Sequence, residues 1–193
     1  VISEDKKQLA VFVHLPYSKK ANEKIATIAF DANLNKTSEA SHTLRFKSEK
    51  AYREKVYLSN EGTLNIVKTT DFFKKNPVTS VITLTSNAAV AVTVSEKGFY
   101  VSDARVISMK GKHYLIGFAT NNWKPTVSIG GRKEKRYFMY NITDKQLIVS
   151  RVWSPKTLKQ VLGKGFTDLT IKDVLIANEK IYLIGDCKKK TSA

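Results

Sequence analysis

Three histidines, His14, His42 and His113, are the whole stock of the side chain best suited to proton transfer near neutral pH and to zinc ligation. No two of them stand four apart or across a short loop, so the spacing indicates no metal site, and neither metal nor cofactor is expected. Carboxylates offer another route to acid/base chemistry, and Asp103, Asp168 and Asp173 all stand near the entry to apolar runs. Aspartate at a strand entry also caps turns and pairs with lysine, and that is the reading taken. A nucleophile elbow of the form Gly-x-Ser-x-Gly is absent, and Gly163-Lys164-Gly165 lacks the remainder of a phosphate loop. No catalytic residue is assigned, and the chain is not read as an enzyme. Asn35-Lys36-Thr37 and Asn141-Ile142-Thr143 have the form of glycosylation acceptors, but both fall in turns that backbone geometry already explains.

Binding chemistry is concentrated between Asn121 and Tyr140. Trp123 lies in a polar stretch, followed by Gly130-Gly131, the run Arg132-Lys133-Glu134-Lys135-Arg136, and the aromatics Tyr137, Phe138 and Tyr140. Tryptophan beside clustered arginine is how binding hot spots and single-strand stacking platforms are composed. Trp123, Arg132, Lys133, Arg136 and Tyr137 are therefore the candidate binding residues. The same composition also suits an edge-strand connection whose lysines discourage sheet-to-sheet pairing.

The formal net charge is +16, from 33 basic and 17 acidic residues in 193, yet only six of the basic residues are arginine. A lysine coat attracts nucleic acid or anionic surfaces without reading them, because lysine is a hydrated point charge and lacks arginine's planar fork. Polyanion binding is thus an alternative to a soluble surface with no such partner. Cys187 is the only cysteine, which excludes a disulfide framework and a thiolate metal centre. An apolar fraction of 42% suits a folded domain, and no run approaches the ~18 apolar residues of a membrane-crossing helix. The chain opens at Val1 with neither methionine nor signal peptide, the form of a processed or partial product.

The elements that position these residues repeat. Val174 to Gly185 (V-L-I-A-N-E-K-I-Y-L-I-G) is two apolar runs around Asn178-Glu179-Lys180, the pattern of a β-hairpin. Val106 to Gly117 matches it at Val106, Lys112, Tyr114, Leu115, Ile116 and Gly117. Val56 to Val67 and Val1 to Phe12 keep the form, the latter with Ser3 to Lys7 as its turn. His113 stands where the other copies hold Ile181 and Thr63, which makes it a strand-face residue. Each of the first three copies leads into a second hairpin: Ile25–Phe30 with a strand around Thr43–Phe46, Ser80–Leu84 with Ala89–Val94, and Tyr137–Tyr140 with Leu147–Trp153. Helical periodicity is nearly absent; Lys156 to Leu162 can make a turn or two.

Two hairpins per copy give four antiparallel strands, and the matching positions Leu9, Leu64, Tyr114 and Tyr182 are 55, 50 and 68 residues apart. That period is the pattern of β-propeller blades. The expected architecture is a single all-β repeat domain over 1–193, with units at about 1–50, 51–97 and 98–154, a partial unit at 171–193 and an inserted loop at 155–170. About three and a half blades are present, so further blades or a second chain are needed to close the ring. A two-sheet β-sandwich built from the same hairpins is the alternative.

At Ile2-Ser3-Glu4-Asp5-Lys6-Lys7, Ala29-Phe30-Asp31-Ala32-Asn33-Leu34-Asn35, His113-Tyr114-Leu115-Ile116-Gly117-Phe118 and Lys180-Ile181-Tyr182-Leu183-Ile184-Gly185 the chain resembles a set of exported, uncharacterised β-propeller-type repeat proteins of the Bacteroidetes. The resemblance implies export to the periplasm or cell surface and implies no chemistry. The expected function is a non-catalytic binding or scaffold module for a protein or glycan partner. Its alternatives are a polyanion binder and a fragment of a propeller hydrolase.

Overall fold

A computed structural model describes residues 1–16, 21–47, 52–70, 77–86, 88–94, 100–120, 135–154, 156–157, 160, 166–178 and 180–189. The fold is all-β, with antiparallel sheets that include two four-stranded meanders. In chain order the strands are β1 (Gln8–Leu15), β2 (Asn22–Asp31), β3 (Lys36–Lys47), β4 (Tyr52–Leu58), β5 (Leu64–Thr70), β6 (Val78–Leu84), β7 (Ala89–Val94), β8 (Tyr100–Met109), β9 (Lys112–Thr120), β10 (Lys135–Asn141), β11 (Gln146–Trp153), β12 (Phe166–Ala177) and β13 (Lys180–Lys189). Within each sheet the paired strands are consecutive in sequence, giving sheets β1-β2-β3, β4-β5-β6-β7, β8-β9-β10-β11 and β12-β13, hereafter the first to fourth sheets. Among the described residues no helix is long and apolar enough to cross a membrane. The chain divides into two compact units, Val1–Val94 and Ser95–Ala193.

In the first unit, the first and second sheets pack face to face. Period-two alternation sends Ala10, Ile25 and Leu44 inward from the first sheet, with Phe12 packed beside them. Leu58, Leu64, Ile66, Ile82 and Leu84 meet them from the second, joined by Val56. Each fully buried aliphatic side chain here contributes about 1.5–3 kcal/mol. The hairpin expected at Val1 to Phe12 is reduced to a single bridge, Ile2 opposite Leu9. The Ala10 amide donates to the Val1 carbonyl at 2.8 Å, and the Val1 ammonium donates to the Ala10 carbonyl at 2.8 Å. Its turn is wound by backbone and side-chain bonds together, the Ser3 amide donating to the Gln8 carbonyl and the Lys6 amide to the Ser3 carbonyl, each at 3.0 Å. The Ser3 hydroxyl donates to Asp5 at 2.7 Å, and the Lys7 amide donates to the same carboxylate at 3.1 Å. Those donors hold the Asp5 carboxyl below the ordinary carboxylate range.

The second unit also packs two sheets face to face. Ile107, Ile116 and Phe118 of the third sheet meet Ile171 and Val174 of the fourth, with Tyr114, Tyr137, Trp153, Ile181 and Leu183 packed around them. The β8–β9 turn is two residues long, with Lys110 at φ 51° and Gly111 at φ 72°, the hairpin geometry that matches strand twist. Asn178 at φ 50° opens the β12–β13 turn in the same way. Gly117 and Gly185 hold matching places in the two hairpins, and for one reason. A Cβ on Gly117 would sit on the Asp103 carbonyl oxygen, and one on Gly185 on the Thr170 carbonyl oxygen.

The insertion expected over 155–170 is shorter than its sequence indicates. Lys156, Thr157 and Gln160 are helical, but β12 already begins at Phe166, and Phe166 to Thr170 pair with Lys189 to Asp186. The glycines and lysine just before Phe166 draw attention to a loop, whereas the threonines beyond it suit a strand that finds its partner only in the folded chain.

Candidate functional site

Among the described residues, the densest group of chemically capable side chains lies between the two sheets of the first unit. His14 is near the end of β1, Glu23 near the start of β2, Glu54 near the start of β4 and Lys68 near the end of β5. All four therefore gather at one end of the sheet pair. His14 and Glu23 point inward because they share the face of Ala10 and Ile25; Lys68 shares the face of Leu64 and Ile66. The Glu23 and Lys68 side chains are each only 2% exposed, Glu54 is 13% exposed and His14 30%.

The four side chains form a closed circuit of polar contacts. The Lys68 ammonium donates to Glu23 Oε2 in a buried bond and lies 3.9 Å from Glu54 Oε2. His14 bridges the same carboxylates, Nδ1 at 2.6 Å from Glu23 Oε1 and Nε2 at 3.0 Å from Glu54 Oε1. The imidazole and the Phe12 ring make a T-shaped contact, with centroids 5.7 Å apart and planes at 76°. Donor atoms of His14, Glu23 and Glu54 lie within 4.8 Å of one another, the spacing that one cation requires. Lys68 already takes the cation's position against both carboxylates, so the set as it stands is an internal ion-pair network. A metal ion would have to displace an ammonium from a dry site.

Sequence reasoning missed this group. His14 is nine residues from Glu23, 40 from Glu54 and 54 from Lys68, and only the packing of two sheets brings them together. The one available signal was Lys68 itself, a charge closing the run Leu64-Asn65-Ile66-Val67 in a strand buried on both faces. His42, also on the inner face, is buried, and loss of water around it lowers its pKa below the ordinary 6.5. His113 bonds through Nδ1 to the Ser108 hydroxyl at 3.0 Å, across the β8–β9 hairpin.

Of the candidate binding residues, Trp123, Arg132 and Lys133 lie outside the described residues. Arg136 donates to the Ser150 hydroxyl at 3.0 Å. Tyr137 packs on the apolar core of the second unit, and burial raises its phenol above the ordinary 10.0. As neighbours on β10, Arg136 and Tyr137 point to opposite faces and do not form one surface.

The strand-entry aspartates divide. Asp103 is buried and accepts the Ile171 amide at 2.7 Å, pinning β12 to β8, and Asp173 pairs with Arg105 at 3.0 Å. Both work in the packing of one sheet on the next; the Asp168 side chain lies outside the described residues. The two glycosylation-like asparagines are likewise engaged. Asn35 donates to Asp31 at 3.1 Å, and Asn141 is buried and donates to Asp144 at 2.8 Å.

One surface stands apart from these internal networks. On the fourth sheet Leu175, Tyr182 and Ile184 face away from the core, 53%, 46% and 51% exposed. Leu175 pairs with Tyr182 and Asp173 with Ile184, so these residues share one face. In the third sheet, Ile107, Tyr114 and Ile116 occupy the matching positions and lie against the fourth sheet. Comparison with known proteins finds no matching family model, no matching curated protein and no matching solved structure.

Proposed function

We propose that the protein is a non-catalytic, exported binding or scaffold module whose antiparallel sheets belong to the blades of a β-propeller, with a protein or glycan held across loops at one end. One observation carries the reading: in both units, matching residues of successive sheets meet side by side. In the first unit, the turn before β1 meets the turn before β5. The Asp5 amide donates to Asn60 Oδ1 at 3.1 Å, and Gln8 Nε2 donates to the Asn60 carbonyl at 2.9 Å. In the second, Arg105 and Asp173, which align in the repeat, form an ion pair at 3.0 Å. A sandwich closes after two sheets, whereas a blade stack offers each sheet a successor, and the open face of Leu175, Tyr182 and Ile184 favours the stack.

The chemically capable residues support a module that does not turn over substrate. Lys68, Glu23, Glu54 and His14 are committed to one another, and Asp103 to a backbone amide. Ligand contact then falls to the stretch of sequence that carries Trp123 and Arg132, the residue types of binding hot spots. The test is retention of the protein on glycan and surface-protein arrays, comparing the native chain with the Trp123→Ala, Arg132→Ala double variant. Loss of one ligand class in the variant, with an unchanged melting curve, is the expected outcome; equal retention removes the loop from the reading.

A further inference from the structure

Among the described residues the fourth sheet has two strands where the third has four. In the third, β9 is paired on both edges, by β8 and, over residues 114–120, by β10. The repeat sets β13 against β9, with Tyr182 on Tyr114 and Gly185 on Gly117. Among the described residues β13 pairs with β12 alone, so the edge that β10 takes on β9 is open on β13 over residues 182–188. The matching glycines report the difference. Gly117, between two strands, is buried, whereas Gly185 is exposed, and a glycine has only backbone to expose. Both sides of that edge are apolar. Tyr182 and Ile184 stand exposed on one face of β13. On the other side lies the face of the third sheet that carries Ile116 and Phe118. Beyond β9 that face continues through Tyr137, Val149 and Trp153, all half-buried, with Arg151 exposed among them.

We propose that residues 182–188 of β13 are a docking edge for an extended segment of a protein partner, which adds antiparallel as the third strand of the fourth sheet. The segment is apolar and β-prone along its length and acidic at its N-terminal end. Main-chain hydrogen bonds hold a strand added in this way, and its alternate side chains give specificity. Here those side chains meet apolar neighbours in both directions, Tyr182 and Ile184 on one face and Tyr137, Val149 and Trp153 on the other. The register selects the acidic end. The first residue of β10, Lys135, stands opposite Thr120, and Lys188 is the position of β13 that matches Thr120. A segment in the place of β10 therefore begins opposite Lys188, with Lys189 next along the strand and exposed Arg151 on the facing sheet. Opposite charges across a strand pair contribute to its stability. The inference goes beyond a ligand held across loops: it uses only pairing and packing inside the second unit, and not the stretch that carries Trp123.

The probe is a blocked, fluorescein-labelled peptide of two glutamates followed by valine, tyrosine, valine, phenylalanine and valine, titrated with the native chain and followed by anisotropy. Saturable binding is expected. Two further forms carry N-methyl groups on the odd or on the even residues. A strand bonds to an edge through alternate residues, so one form is expected to lose about tenfold or more in affinity and the other to bind like the parent peptide. Lysines in place of the two glutamates should weaken binding by about tenfold or more, and Arg151→Glu should reduce that preference. Arg151 is exposed, and circular dichroism checks that the variant is folded. In the bound chain, amide exchange should slow across residues 182–188. It should not change across residues 64–70 of β5, whose two edges β4 and β6 already fill.

No saturation by about 1 mM peptide, equal effects of the two methylation patterns, or protection away from β13 overturns the proposal. Exchange across residues 182–188 that slows with protein concentration alone assigns the edge to a second copy of the chain, and overturns it too. The loop reading fails separately. The Trp123→Ala, Arg132→Ala double variant is expected to bind the peptide like the native chain, whether or not it keeps an array ligand.

Discussion

Replacing Lys68 with methionine removes one charge from the interior of the first unit and little volume. The Lys68 and Glu23 side chains are each 2% exposed, so the rule for surface pairs, worth at most about 1 kcal/mol, does not apply. Breaking a buried pair by deleting one partner costs about 3–5 kcal/mol, because the surviving charge stays in a dry site. His14, 2.6 Å from Glu23 and 3.0 Å from Glu54, can compensate part of that loss. The lower end, about 3 kcal/mol, is therefore expected. With a urea slope of about 1–3 kcal/mol per molar, the midpoint of the first unit falls by about 1–3 M.

The two units allow a selective readout. Both tryptophans, Trp123 and Trp153, belong to the unit Ser95–Ala193, so their fluorescence reports that unit while circular dichroism reports both. Lys68→Met should move the dichroism transition and leave the fluorescence transition in place. Glu23→Gln added to Lys68→Met should recover stability relative to Lys68→Met alone, since it removes the orphaned carboxylate. A midpoint unchanged by Lys68→Met would refute the reasoning, as would a double variant whose losses simply add.

Three further outcomes follow from the packing. Gly117→Ala and Gly185→Ala should each lower stability by about 1–3 kcal/mol, read from thermal melts, because the new methyl meets a backbone carbonyl that cannot move aside. Asp103→Ala should cost about 1–3 kcal/mol and speed amide exchange at Ile171, whose N–H then has no buried acceptor; unchanged protection there would count against the pinning role. His42 titrates in the opposite sense to a paired histidine. Its folded pKa lies below 6.5, so its contribution is fully present above that pH and is lost as pH falls toward the folded value, with a slope of up to about 1.4 kcal/mol per pH unit. Denaturation curves between neutral and mildly acid pH should be shallower in pH for His42→Leu than for the native chain, and equal slopes would exclude the effect.

The strands and turns were legible because their signals are local. Val106 to Gly117 and Val174 to Gly185 carry two-residue turns and a shared Tyr-Leu-Ile-Gly, and both fold as hairpins with the register the alignment implies. What the alignment does not contain is which face a neighbour covers. Tyr114 and Tyr182 are the same residue at the same repeat position, yet Tyr114 packs into a core and Tyr182 is exposed. Burial belongs to the sheet that lies opposite, not to the segment itself. The ion-pair network was hidden for the same reason: nothing in the sequence marks Glu23 or Glu54, and only the packing of β2 on β4 and β5 brings them to Lys68.

The pair of glycines points to how such a molecule lengthens. Gly117 and Gly185 are each demanded by the strand beside them in their own hairpin. A duplicated segment would therefore carry its steric requirements with it and fold without adjustment by the sheets already present. Growth by whole sheets is cheap under that condition, whereas the inward-facing charges of the first unit, which draw on four strands at once, are fixed in place and cannot be copied piecemeal.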